Sequence, residues 1–228
     1  MSEKHHPFPN LPEYSDDERV AHARAAYEQL KSRHSCRDFT NAPVPREVIE
    51  NAIRAAGTAP NGANHQPWHF TVIGSAEKKR AIREAAEAEE RRFYGEDGDK
   101  PKASDEWLDA LAPIGTDASK PYLETAPWLI ACFAQRTGGI EEDGETKNYY
   151  VNESVGIACG MLISTLHAAG LATLTHTPSP MGFLRDLCGR PSNEKPLMIV
   201  VVGLPADSAT VPDHAIKKKP LEQISSWI

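Results

Sequence analysis

The chain has few of the features that declare a function outright. Its 228 residues hold only four cysteines, Cys36, Cys132, Cys159 and Cys188, with no Cys-x-x-Cys pair among them. That spacing is wrong for a zinc knuckle and weak for a disulfide framework, so reduced thiols in a cytoplasmic setting are expected. No apolar run approaches the roughly 18 residues of a membrane-spanning helix. The N-terminal MSEKHHPFPNLPEYSDDE is polar and proline-rich, without the apolar stretch of a secretory signal. Positive charge is not in excess: 25 Lys and Arg face 32 Asp and Glu, a net charge of -7. Nucleic acid is therefore excluded as the main partner, because phosphate backbones need clustered cations, although a local anion site is not. There is no Walker motif, no Gly-x-Gly-x-x-Gly, no internal repeat and no low-complexity tract. No His, Asp and Glu spacing suggests a metal centre, and the adjacent His5 and His6 read more simply as part of a solvated arm.

What remains is the pattern of a globular protein. Hydrophobic residues make up 40% and charged residues 25%, enough for a packed core. The length suits one domain or one compact subunit. We expect an arm over residues 1–15 and a single domain over 16–228. Asp16 reads as the N-cap of a helix reaching about Ser32, with Val20, Ala23, Tyr27 and Leu30 on one side. A second helix starts near Pro45, presents Val48, Ile49, Ala52, Ile53 and Ala56, and stops at Gly57. WHFTVIG (68–74) reads as a strand and 76–94 as a charged surface helix. Residues 95–119 carry only the short apolar face of Trp107, Leu108, Leu111 and Ile114, which suits a lid or a disordered excursion. PWLIACFA (127–134), LATLTH and LMIVVVG read as strands, and GGIEEDGE as a surface loop. The helix over 152–169 is apolar nearly all round, which places it in the middle of the molecule. From Leu204 the tail reads as extended. Strands separated by helices, with one buried helix, give a mixed α/β layer architecture. The arm and tail either wrap a second copy or are loose ends.

Four stretches could carry chemistry. RHSCRDF (33–39) sets His34, Ser35 and Cys36 between Arg33 and Arg37. A Cys or Ser nucleophile normally takes its base from a distant part of the chain, because neighbouring side chains diverge. Two arginines, a hydroxyl and loop amides suit an anion grip better, though a solvated loop with surface arginines is equally open from these residues alone. In APNGANHQPW, Gly62 permits a close backbone approach between Asn61 and Ala63, or simply connects a helix to a strand. TLTHTPSP (173–180) leaves a strand carrying Thr175, His176 and Thr177, groups that commonly meet ligands at strand ends. The basic cluster KKKP (217–220) is a solvated tail or a second phosphate contact.

In combination and order, these stretches resemble the nitroreductase superfamily of FMN enzymes. The carriers are SRHSCRDFTNAPVPREVIENAIRAAGTAPNGANHQPWHF, KPYLETAPWLI, YYVNESVGIACGMLISTLHAAGLATLTHTPSPM, LCGRPSNEKPLMIVVVGLPA and VPD with KKKPL, over roughly residues 28–224. Within that superfamily the chain is most similar to the iodotyrosine deiodinase subgroup. The resemblance implies an α+β fold, a three-layer α/β/α-type sandwich, as an intertwined homodimer with FMN at the subunit interface. It implies cofactor contacts at Arg33, His34, Ser35, Cys36, Arg37, Asn61, Thr175, His176, Thr177 and Lys218. Positive charge beside the flavin edge favours its reduced, anionic form. Thr177 matches the position whose hydroxyl approaches flavin N5, where a donor favours one-electron steps.

The resemblance also implies a lid over about 88–120 and a C-terminal extension over about 204–228. In the lid, Glu90 and Tyr94 share a helix face at i and i+4, and Lys120 follows. Glu90 would accept from the ammonium of a halotyrosine, while Lys120 and Tyr94 donate to its carboxylate. Ala63 matches the position whose backbone amide meets the phenolate. The expected activity is reductive dehalogenation, with NAD(P)H or a protein as electron donor. The rivals are a generic NAD(P)H nitroreductase or quinone reductase, a non-catalytic flavin-binding protein, and a hydrolase built on Cys36. The sequence departs from the subgroup in carrying Asn61 where a serine is usual, Lys218 where an arginine is usual, and a longer lid with Gly95, Gly98 and Pro101.

Overall fold

The computed structural model describes residues 4–96, 98, 100–140 and 145–228. Parts of the arm, the lid and the GGIEEDGE loop (1–3, 97, 99 and 141–144) lie outside the described residues. The chain separates into two units, residues 1–33 and 34–228.

In the first unit, residues 4–15 have no regular structure and helix α1 spans Asp16–Lys31. Its cap is Ser15, one residue earlier than Asp16. The Ser15 hydroxyl accepts from the Glu18 amide at 3.3 Å and Glu18 Oε2 accepts from the Ser15 amide at 2.8 Å. This reciprocal box leaves Asp16 in the first turn, where its charge favours the positive helix end. The helix buries none of its residues, and Val20, Tyr27 and Leu30 are all exposed.

The second unit is built on a sheet of order β1-β2-β4-β3, with every neighbouring pair antiparallel. The strands are β1 (Trp68–Ile73), β2 (Trp128–Gln135), β3 (Ala172–His176) and β4 (Glu194–Gly203). The central strands β2 and β4 are apolar on both faces, so alternate side chains feed two cores. Ile130, Cys132, Val200 and Val202 join one core with α2 (Arg46–Ala56) and α6 (Val151–Ala168). Leu129, Ala131, Phe133, Ile199 and Val201 join the other. That second core includes Ile82 and Ala86 of α3 (Ala76–Tyr94), Leu123 of α5 (Tyr122–Thr125) and Leu184 of α7 (Gly182–Leu187). The result is the three-layer α/β/α sandwich. Between α3 and α5 lies a further helix, α4 (Asp105–Leu111), capped by the Ser104 hydroxyl.

Two expectations change. The first concerns α6, which does not sit in the middle of the chain's own fold. It buries Val155, Ala158, Cys159, Leu162 and Leu166 on one face and leaves Ile157 45% exposed on the other. Its all-round apolarity therefore exceeds what one chain covers. The second concerns the tail, which is tied down where it leaves β4. Thr40 N donates to Leu204 O at 3.0 Å and Ala206 N to Asp38 O at 2.9 Å. Beyond that come two short helices, α8 (Asp213–Ile216) and α9 (Leu221–Ile224).

Candidate active site

Ser35 and Cys36 run along the free edge of β3. Ser35 pairs in parallel with Thr173, and the Cys36 amide donates to Thr173 O at 3.0 Å. This pairing carries Arg37 to the C-terminal end of β3. There the strand's alternation exposes Thr175 and Thr177 while burying Leu174 and His176. A cavity of about 240 Å³ opens at this point, lined by Arg37, Leu174, Thr175, His176 and Thr177 on the strand side. Glu90, Phe93 and Tyr94 of α3 line the same cavity, with Trp107 and Leu111 of α4, Thr116, Lys120 and Tyr122. Two sets of residues far apart in sequence, one assigned to a cofactor and one to a substrate, thus share one space.

His176 is 7% exposed and packs edge-on against Tyr122, with ring centroids 5.8 Å apart. The Tyr122 hydroxyl and His176 Nδ1 are 3.3 Å apart. His176 Nε2 is buried and has no hydrogen-bond partner among the described residues. Burial, helped by the charges of Lys120 and Arg37, lowers the imidazole pKa to about 3, so the ring is neutral. Burial also raises the pKa of Tyr122, and the charge of Glu90 adds to the shift.

Lys120 is almost completely buried. Its ammonium lies 3.3 Å from Glu90 Oε2 and donates to Thr116 Oγ1 at 3.0 Å and to the Asp117 carbonyl. It also sits over the Tyr94 ring, 5.7 Å from the centroid. Burial raises the Glu90 pKa, opposed by the Lys120 charge, and burial likewise raises that of Tyr94. The acid and the base assigned to opposite ends of a zwitterion are therefore paired with each other.

Other expected contacts lie elsewhere. Arg33 belongs to the first unit. His34, Ser35 and Cys36 do not line the cavity. Cys36 is buried, its amide bonded to Thr173 and its thiol donating to Asp38 O at 3.1 Å. Burial raises its pKa, the opposite of what a nucleophilic thiolate needs. Asn61, Ala63 and Lys218 also do not line the cavity. Asn61 ties its own loop together, accepting from the Gln66 amide at 2.8 Å and donating to Ala59 O at 3.0 Å. Ala63, Asn64 and Gln66 all have left-handed backbones, with φ of 51°, 56° and 50°. Side-chain-bearing residues rarely adopt this conformation, and such strain gathers at functional sites. The close approach at Gly62 is made by the protein itself, since a Cβ there would meet Tyr149 O at 3.1 Å and the Tyr150 ring at 3.3 Å. Lys218 is exposed and donates to Ala215 O at 2.7 Å.

Sequence reasoning passed over Tyr122 and Thr116. The available signals were small: an aromatic two residues after Lys120, and a hydroxyl four residues before it.

A flavin mononucleotide is a flat ring, edged with hydrogen-bond acceptors and anionic when reduced, with a phosphate tail, and the strand side of the cavity offers groups that suit one. Arg37 offers a cationic fork, Thr175 and Thr177 offer exposed hydroxyls, and His176 offers an unpartnered ring nitrogen. The sandwich and the donors at the end of its edge strand define an α+β protein of the kind that holds a flat anionic cofactor. The chain belongs to the nitroreductase family, whose model matches residues 30–204. It is 45% identical over 207 residues to iodotyrosine deiodinase of Haliscomenobacter hydrossis, spanning 91% of each chain. It is 44% identical over 223 residues to the human iodotyrosine deiodinase 1, covering 97% of this chain and 74% of that one. Among solved structures it is similar to an oxidized iodotyrosine deiodinase bound to FMN and 3-iodo-L-tyrosine, with a TM-score of 0.71 and 28% identity over 86% of this chain and 94% of that one. A BluB-like flavoprotein from Clostridium difficile shares the fold, with a TM-score of 0.64 at 22% identity over 88% and 97% of the two chains.

Proposed function

We propose that the protein is an FMN-dependent oxidoreductase that reductively removes halogen from halotyrosines. The observation that carries this reading is the single cavity joining Arg37, Thr175 and Thr177 to Glu90, Tyr94 and Lys120. A reductase for uncharged quinones or nitroaromatics has no use for a half-buried acid and phenol arranged around a buried ammonium.

When bound, FMN supplies the electrons that, with a proton, replace a carbon–halogen bond by carbon–hydrogen and release halide. The ultimate donor is a nicotinamide or a protein. Arg37 would balance negative charge on the cofactor, and the Thr177 hydroxyl would donate a hydrogen bond to its ring. Glu90 receives the substrate ammonium, and Lys120 and Tyr94 hold its carboxylate. Trp107 and Leu111 keep water off the bound ring. The four cysteines are free, which suits a cytoplasmic protein.

We assign the remaining cofactor and phenolate contacts, Asn61, Ala63 and Lys218, to a second copy of the chain, forming a homodimer. The open face of α6 and the strained loop at Ala63 support this assignment.

Because Glu90 and Lys120 neutralise each other at 3.3 Å, a ligand must bring both charges to replace the pair it opens. A halophenol bearing only an amine, or only an acid, strands one buried partner, at about 3 kcal/mol or more. The test is anaerobic titration of the oxidised, flavin-loaded protein with iodo-, bromo- and chlorotyrosine, reading flavin fluorescence. Quenching by halotyrosines, with at least roughly hundredfold weaker response to halotyramine and to the des-amino acid, is the expected result. No response to any halotyrosine would favour a generic nitroreductase.

A further inference from the structure

Helix α3 supplies more than Glu90 and Tyr94. Its three preceding polar turns, Lys79, Arg83 and Glu87, are spaced i, i+4, i+8 and face the segment that begins at Lys120. Lys79 Nζ donates to Glu124 O at 2.9 Å and Ala126 O at 2.7 Å. Arg83 Nε donates to Glu124 Oε2 at 2.8 Å, and its Nη1 to Glu87 Oε2 at 2.6 Å. The second oxygen of Glu87, Oε1, accepts from the backbone amide of Lys120 at 2.8 Å. Glu87 is 13% exposed and Arg83 24% exposed at the side chain, so water competes little for these bonds.

We infer that Glu87 is a positioning residue for substrate recognition: by holding the Lys120 amide it fixes where the Lys120 ammonium stands relative to Glu90 and Tyr94. The inference rests on the halotyrosine reading above. The physical argument is one of lever arm. A lysine side chain has four rotatable bonds, so the place of its ammonium is defined only if its backbone is. Here the backbone is pinned through a carboxylate whose other oxygen is held by an arginine. That arginine also grips Glu124, four residues downstream of Lys120. Glu90 and Tyr94 lie on the same helix as Glu87, so one rigid element sets the spacing of all three clamp residues. The touching is done by Lys120, and Glu87 acts through it.

The experiment compares flavin-loaded wild type, Glu87→Ala and Glu87→Gln by three readouts. These are hydrogen exchange of the Lys120 amide, KM and kcat for iodotyrosine, and reduction of a nitroaromatic that carries no zwitterion. Glu87→Ala should lose protection at Lys120 and raise KM for iodotyrosine roughly tenfold, with nitroaromatic turnover within about twofold of wild type. Glu87→Gln keeps an oxygen acceptor for the amide and should restore most of the protection and of the KM. Loss of exchange protection with an unchanged iodotyrosine KM would overturn the inference, as would an equal fall in both activities, which would mark Glu87 as merely structural. If wild type itself fails to respond to iodotyrosine, the substrate reading fails first. If wild type responds and Glu87→Ala matches it, only the positioning role is lost.

Discussion

His176 and Tyr122 stand between the two halves of the cavity, one at the end of β3 and the other two residues past Lys120. The imidazole pKa is lowered to about 3 by burial and by the charges of Lys120 and Arg37, against an ordinary value of 6.5. Between those values the unfolded chain takes up a proton that the folded chain refuses. The sign follows from that: this group's effect on stability is neutral above about pH 6.5 and becomes a growing penalty as pH falls toward 3. Urea unfolding at pH 7 and pH 5 should therefore show a larger acid loss for wild type than for His176→Gln. Equal losses would mean that other groups dominate the acid limb.

Glu90 gives a second pH dependence, in binding rather than stability. Its carboxyl pKa is raised above the ordinary 4.5 by burial, with Lys120 pulling the other way. An ammonium needs the ionised form, so halotyrosine affinity should fall with acid at a higher pH than a solvent-exposed carboxylate would give. Removing the opposing charge in Lys120→Ala should move that midpoint up further, as read by fluorescence titration across pH 5–8. A midpoint unmoved by Lys120→Ala would separate the two residues. Cys36→Ala, by contrast, should keep most activity, because the thiol is buried and bonded to Asp38 O. An inactive, folded Cys36→Ala would restore the nucleophile reading.

At the scale of elements, α3 was legible from its length and its charges but not from what it faces. Residues 76–94 form the expected helix, and Glu90 and Tyr94 fall on its cavity side. Read alone it looked like a solvated surface helix, yet Lys79 is 8% exposed. Nothing in an i, i+4 spacing reveals whether water or a carbonyl lies opposite. Lys79 caps the C-terminal carbonyls of α5, which are otherwise left without intrahelical partners. Lys79→Met, similar in length but without the donor, should cost about 1–3 kcal/mol in denaturant unfolding. A smaller loss would mean that water replaces the ammonium.

The short helices α5 and α7 escaped the sequence reading because periodicity needs several turns to register. The cofactor side was more readable, since alternation at the end of β3 predicts that Thr175 and Thr177 share a face. The pairing of Ser35 and Cys36 with Thr173 was not, because it joins residues about 138 positions apart.

At the scale of the whole molecule, the chain displays more apolar surface than one copy covers. Ile157 on α6 is 45% exposed, and in the tail Leu221, Ile224 and Trp227 are 58%, 66% and 89% exposed. Helices apolar nearly all round occur where both sides are buried, so the uncovered side of α6 calls for a second surface. The same conclusion follows from the site, because Asn61, Ala63 and Lys218 are absent from the cavity that holds the other assigned residues. The proposed homodimer would answer both: two copies packed through α6, each bringing its strained 61–66 loop and its tail to the other's cavity. The variant that separates this from a self-sufficient monomer is Ile157→Glu, on the open face and outside the cavity lining. Wild type should run as a dimer by light scattering and retain FMN through gel filtration. Ile157→Glu should shift toward monomer and lose FMN in proportion, with the fold of each copy preserved by circular dichroism. A monomer that keeps FMN tightly would place the whole cofactor site within one chain. A dimer unaffected by the charge would put the interface on another face.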